Sequence, residues 1–238
     1  MARDVYKEFL QICAFEPAEI DNMMPDWIHC CEVLELTEED VRMAVDEYIP
    51  SWWQIRYMGI RKMLGAFTKE AIDHSKLREY KASGKPLVYG IMPVIVTAFM
   101  AIKDAGGDNV FVGFPDLLFM IFLQSVFHKG APYFEEAEKN GMTYGARHCA
   151  LDKMRIGGNL KGNIPTPTVS WSWGLVCDEG CKTDEYIRCL NDETWKYIIL
   201  RIPHDEHMGE ESSRDDVRVN YLAGKLKEGY AEIKELTG

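Results

Sequence analysis

Seven cysteines, at positions 13, 30, 31, 149, 177, 181 and 189, are the residues of this 238-residue chain best suited to chemistry. Their odd number and irregular spacing argue for thiols or metal ligands rather than a disulfide framework. Cys177 is followed at once by Asp178 and Glu179, which open a predicted helix. Unpaired amides and the positive end of the helix dipole stabilise a thiolate at such a position. Cys149 lies early on the preceding predicted helix, so both sulfurs could point into one crevice. Thiolates held there suit a soft metal, above all an iron–sulfur cluster. No Cys-x2-Cys-x2-Cys spacing accompanies them, and a cysteine is more often a small buried hydrophobe. Cys181 and Cys189 could share the helical face of Cys177 as further ligands or simply pack. Cys13, Cys30 and Cys31 fall in a helical region and read as structural.

Other chemistry is less well supported. His204-Asp205-Glu206-His207 offers two imidazoles and two carboxylates after a predicted strand, but zinc needs a fixed face and a further ligand, which favours an exposed acidic loop. His148 is either a base beside Cys149 or polar packing. Ser170, Trp171 and Ser172 are candidates for a pocket wall, with Trp173 beyond them, although core packing is the default for the aromatics. No Gly-x-Gly-x-x-Gly, Gly-x4-Gly-Lys-Ser/Thr or Gly-x-Ser-x-Gly is present, which removes the ordinary nucleotide-binding and hydrolase readings.

The elements that would position these residues begin with a helical region over 1–84. Thr37-Glu38-Glu39-Asp40 is a capping-type helix start, Pro50 is expected to interrupt, and a second helix is expected over 52–72. Around 74–86 small and basic residues (Lys76, Arg78, Lys81, Lys85) mark a boundary. That stretch reads as a solvated linker or, less readily, as a grip for a phosphate-bearing ligand. Strands are then expected at 86–91, 109–113, 166–173 and 195–202. Helices are expected between them, with Pro93 in the first turn of one, and a last helix over 217–236 closes the chain. This alternation predicts an α/β fold, a Rossmann-like, mostly parallel four-stranded sheet over 85–238 with helices on both faces. Ligands in such sheets bind beyond the carboxyl ends of the strands.

The charge balance, 27 Lys and Arg against 38 Asp and Glu for a net −11, leaves phosphate-driven nucleic-acid binding without its electrostatic term. The start of the chain mixes charged and apolar residues instead of presenting a secretory core, so a cytoplasmic location is expected. The apolar stretches 91–102 and 111–127 are too short, or broken by Pro115, Asp116 and Gln124, to read as membrane spans.

Several of these residues together resemble the 2-hydroxyacyl-CoA dehydratase and benzoyl-CoA reductase subunits. The match runs through Cys149-x5-Arg155, Gly157-Gly158, Ile164-Pro165-x-Pro167, Ser170 to Ser172, and Cys177-Asp178-Glu179-x2-Lys182-x2-Glu185, and extends over roughly 85–238. The resemblance implies a [4Fe-4S] cluster with Cys149 and Cys177 at the first two ligand positions, an acyl-CoA substrate, and an ATP-dependent activator that donates low-potential single electrons. Such subunits usually continue into a second α/β domain carrying another cysteine ligand. The resemblance therefore also implies that a homologous or completing subunit finishes the site, that Cys181 or Cys189 substitutes, or that the chain is a reduced homologue lacking a full cluster. The competing readings are a cluster-free subunit that scaffolds a larger enzyme complex, and a zinc–thiolate protein.

Overall fold

A computed structural model describes residues 4–91, 96–143, 148–174, 178–191, 193–200 and 215–238. Cys177, Pro93, His204 and His207 lie outside them.

The helical region opens with α1 (Val5–Ile12), whose first turn is capped by the Asp4 carboxylate accepting from the Lys7 amide. In α2 (Pro17–Val33) Pro17 occupies the first turn, where its missing N–H costs nothing. Thr37 and Asp40 form the expected capping box at the start of α3 (Glu38–Met43). Pro50 does not end this helix. The chain widens into a π turn over Ala44–Tyr48 and continues as α4 (Ile49–Trp52), so that the Ile49 amide bonds back to Ala44 and Pro50 falls in a new first turn. The break comes at Trp53, and the next helix, α5 (Met58–Ser75), starts later than expected.

The basic stretch is not a linker either. It forms the end of α5 and α6 (Leu77–Ala82), and its side chains are engaged. Arg78 donates to the carbonyls of Lys161 and Gly162, Lys81 meets Thr166 and Glu193, and Lys76 pairs with Asp26. Gly84, at φ +80°, turns the chain from α6 into the sheet.

Four strands, β1 (Leu87–Ile91), β2 (Phe111–Gly113), β3 (Val169–Trp173) and β4 (Lys196–Leu200), form one sheet in the order β2-β1-β3-β4. Every pairing is parallel, with Val88 opposite both Val112 and Val169. The third strand starts later than expected, because Pro165 and Pro167 can donate to no ladder. Thr168 prolongs the pairing with its side chain, its hydroxyl accepting from the Leu87 amide at 3.0 Å.

Helices flank both faces. Val88, Val112, Val169 and Trp171 pack against Phe99 and Ile102 of α7 (Val96–Gly106) and Ile233 of α12 (Asp215–Thr237). The opposite face carries Leu87, Tyr89 and Phe111, in one continuous apolar core with α1–α6 and with Phe119 and Phe122 of α8 (Pro115–Phe119) and the π turn Met120–Val126 that extends it. In that core Phe9 stacks on Trp27 and Phe127, and Phe122 meets all three edge-on. On the same side α9 (Ala131–Lys139) and α10 (Ala150–Leu160) lead into β3, and α11 (Asp178–Asn191) leads out of it.

The strand order reverses between β1 and β3, so the crevice that such sheets offer a ligand opens beyond the carboxyl ends of these two strands. Among the described residues no helix is long and apolar enough to cross a membrane.

Candidate functional site

Two helix starts meet at this crevice. Cys149 is the N-cap residue of α10, in extended backbone at φ −65° and ψ 140°. Glu179, in the first turn of α11, reaches across so that one carboxylate oxygen accepts from the Cys149 amide at 3.2 Å and lies 3.2 Å from His148 Nδ1. An acid that satisfies an otherwise orphaned amide at a helix start is held by both the hydrogen bond and the dipole. Cys177 stands two positions before Glu179 in the chain, outside the described residues.

Cys181 lies one turn into α11, its sulfur 3.6 Å from the Ser172 hydroxyl of β3. The Tyr197 hydroxyl of β4 sits 2.9 Å from the same Ser172 oxygen and also donates to the Cys181 carbonyl. Cys149 and Cys181 are both half-buried. Beside them His148, Asp152, Glu179, Lys182 and Thr183 line a small cavity of about 140 Å³. Burial pushes the Asp152 carboxyl up to about 6, a rise the Thr183 hydrogen bond tempers and the nearby Asp116 and Glu179 reinforce.

The remaining cysteines behave differently. Burial pushes the thiols of Cys13 and Cys30 up to about 12, and Cys31 is raised for the same reason. Sealed in the helical core, these three stay protonated. Cys189 is exposed.

The serine–tryptophan stretch splits, because successive strand residues face opposite ways. Trp171 is fully buried with Phe99, Tyr230 and Gly229, on the face away from α11. Ser170 and Ser172 point toward α10 and α11. The three therefore do not share one wall.

Close to the crevice lies a buried ionic centre, of whose members the sequence marks Arg155 by the Cys149-x5-Arg155 spacing, Ser170 as a pocket-wall candidate and Asp116 as a charge in an apolar run. Arg155, 1% exposed, donates to the Asp184 carboxylate of α11 at 2.8 Å, to the Ser170 hydroxyl and to the Gly90 carbonyl of β1, both at 3.3 Å. Asp116 at the start of α8 stands 3.9 Å away, and the guanidinium lies 5.1 Å from the centre of the Tyr89 ring. Burial alone would lower the Arg155 pKa, but Asp184 and Asp116 outweigh it and hold the group above its ordinary value. One side chain of α10 thus ties β1, β3, α8 and α11 together.

For an iron centre the donor chemistry fits in kind: two half-buried thiols and the amide-rich starts of two helices at a strand-order reversal. Among the described residues no three His, Cys, Asp or Glu side chains gather closely enough to hold a metal by themselves. No family model matches the chain, and no curated protein matches it either.

Proposed function

We propose that this chain is the cysteine-bearing subunit of an acyl-CoA dehydratase or reductase of the low-potential iron–sulfur kind. The observation that carries the reading is the Glu179 bridge, which fastens the start of α11, two positions after Cys177, to the backbone of Cys149. Cys177, 28 positions after Cys149 in the chain, directly precedes this fastened helix start, which supports the two as a ligand pair.

When bound, a [4Fe-4S] cluster supplies single electrons at low potential. The chain's own residues would do the rest. Cys149 and Cys177 would hold the iron, with Cys181 or a cysteine of a completing subunit as a further ligand. Helix-start amides would favour the thiolate forms, and Ser172 with Tyr197 would fix the Cys181 segment. Arg155 would keep α11 in register with β1 and β3 while the ligands load. The acyl-CoA substrate and the ATP-dependent electron donor belong to the same proposal. The exposed Trp52, Tyr57 and Met58 support its partner-chain element, since exposed aromatic and Met side chains are typical of protein interfaces.

Anaerobic purification from iron-replete cells tests this. The expected product is brown, absorbs near about 400 nm and holds roughly four irons per site. Cys149→Ala and Cys177→Ala should each lose iron while Cys13→Ala keeps it. Colourless, iron-free wild-type protein would instead support a cluster-free scaffold, and equal iron in all variants would reject the ligand assignment.

A further inference from the structure

A second concave site lies at the β2 edge of the sheet, where α5 and α7 diverge. It is a cleft of about 270 Å³ whose walls include Phe67, Phe99, Met100, Val112, Phe114 and Leu117. It begins at the carboxyl end of β2 and the start of α7, on the same rim of the sheet as Cys149 and Cys181. Two strand spacings, about 10 Å, separate β2 from β3.

The charges of this cleft cancel. Glu70 and Lys103 face each other across 3.9 Å, both about half exposed. The third polar side chain in its wall is His74, whose Nδ1 lies 2.7 Å from the Glu70 carbonyl and so donates to it. Nε2 is then an acceptor, and among the described residues it has no hydrogen-bond partner. Burial brings the imidazole pKa down to about 4, so the ring is neutral. Gly113 closes the inner wall, and a methyl group there would come within 2.7 Å of His74 Nε2 and 2.8 Å of Phe111.

Size and polarity then choose the occupant. An apolar cavity of about 150 Å³ is enough to hold benzene. A cleft of 270 Å³ takes one ring with a few further atoms. An anion would lose its hydration against aromatic walls and find only a cation already matched by Glu70.

We infer that this cleft is a binding site for a small, neutral, single-ring aromatic molecule. The inference stands whether or not the chain binds iron, because none of the lining residues belongs to the cysteine site.

Fluorine NMR titrations with fluorobenzene and with 4-fluorobenzoate test it. Wild type should give a saturable shift with fluorobenzene and bind 4-fluorobenzoate at least about tenfold more weakly. Met100→Trp fills the cleft from its rim, and at 58% exposure Met100 is no part of the core, so the fold is kept while the shift is lost. Met63→Trp, on α5 away from the lining, should bind as wild type does. An unsaturable wild-type shift, an unchanged Met100→Trp titration, or equal affinity for the anion would each overturn the assignment. None of these readouts depends on iron content, so this proposal and the cluster proposal fail separately.

Discussion

Replacing Arg155 by methionine keeps much of the side-chain volume and removes the single cation of the buried ionic centre. Asp184 is 0% exposed and Asp116 1%, so neither carboxylate can turn to water when the guanidinium goes. The Gly90 carbonyl and the Ser170 hydroxyl lose a donor at the same time, although Ser170 keeps the Trp195 indole at 3.2 Å. Removing one partner of a buried ion pair costs about 3–5 kcal/mol, mostly the penalty of leaving the other charge uncompensated. Against a total stability of about 5–15 kcal/mol this is a large fraction. Urea unfolding followed by tryptophan fluorescence should show it as a midpoint lowered by about 1–2.5 M, given slopes near 2–3 kcal/mol per molar. Adding Asp184→Asn to Arg155→Met should restore part of the loss, since an amide is far cheaper to bury than an unpaired carboxylate. The gap to wild type should also narrow on acidification, where a proton can neutralise what Arg155 neutralises in the native protein. A loss under about 1 kcal/mol for Arg155→Met, or a double variant less stable than the single one, would refute the view that this pair is held by mutual neutralisation.

Two titrations of opposite sign can be separated by mutation. Asp152 has a folded pKa raised to about 6, so above its unfolded value the native state holds a proton that the unfolded chain has lost, and stability falls as pH rises from about 4 to 6. His74 has a folded pKa lowered to about 4, so the unfolded chain takes the proton first, and stability rises from about pH 4 until it levels off near 6.5. The two slopes oppose each other in wild type. Asp152→Asn should therefore become steeper upward with pH across that window and His74→Gln steeper downward, and parallel curves for all three proteins would contradict both assignments. The glycines give a further contrast: a methyl at Gly157 would sit 1.9 Å from the Tyr133 carbonyl oxygen, while at Gly224, within α12, none of the described residues lies within 4 Å. Gly157→Ala should lose several kcal/mol by forcing α10 off α9, whereas Gly224→Ala should gain up to about 1 kcal/mol from helix propensity. Thermal unfolding of the pair, moving in opposite directions, checks this.

How legible each feature was in the sequence follows from the range of the interaction that makes it. The four strands were visible because runs such as Leu87-Val88-Tyr89 are buried on both faces and broken by prolines and glycines, and the Thr37 cap because its partner stands three residues away. Pro50 misled because the rule that proline ends a helix assumes the bond from residue i to i−4. A π turn upstream shifts the Ile49 bond to Ala44 and removes the conflict, and nothing local announces it. The basic stretch misled for the opposite reason: composition describes a segment, whereas Arg78 and Lys81 are spent on carbonyl and hydroxyl groups more than 80 residues away.

The ionic centre shows the same limit at the candidate site. Asp116 registered only as a charge interrupting an apolar run, and Asp184 not at all, because their meaning lies in Arg155, which reaches them across three elements. A charge inside an apolar run is itself the signal that could have found them. In a parallel sheet both faces are covered, so an acid placed where the covering helix begins must either be expelled or matched by a buried cation. The arginine six residues after Cys149 supplies that cation. Its cost in desolvation is repaid only while α8, α10 and α11 keep their places around β1 and β3. That coupling ties the segments carrying Cys149 and Cys181 to the sheet, which is the support that the proposed metal centre would need.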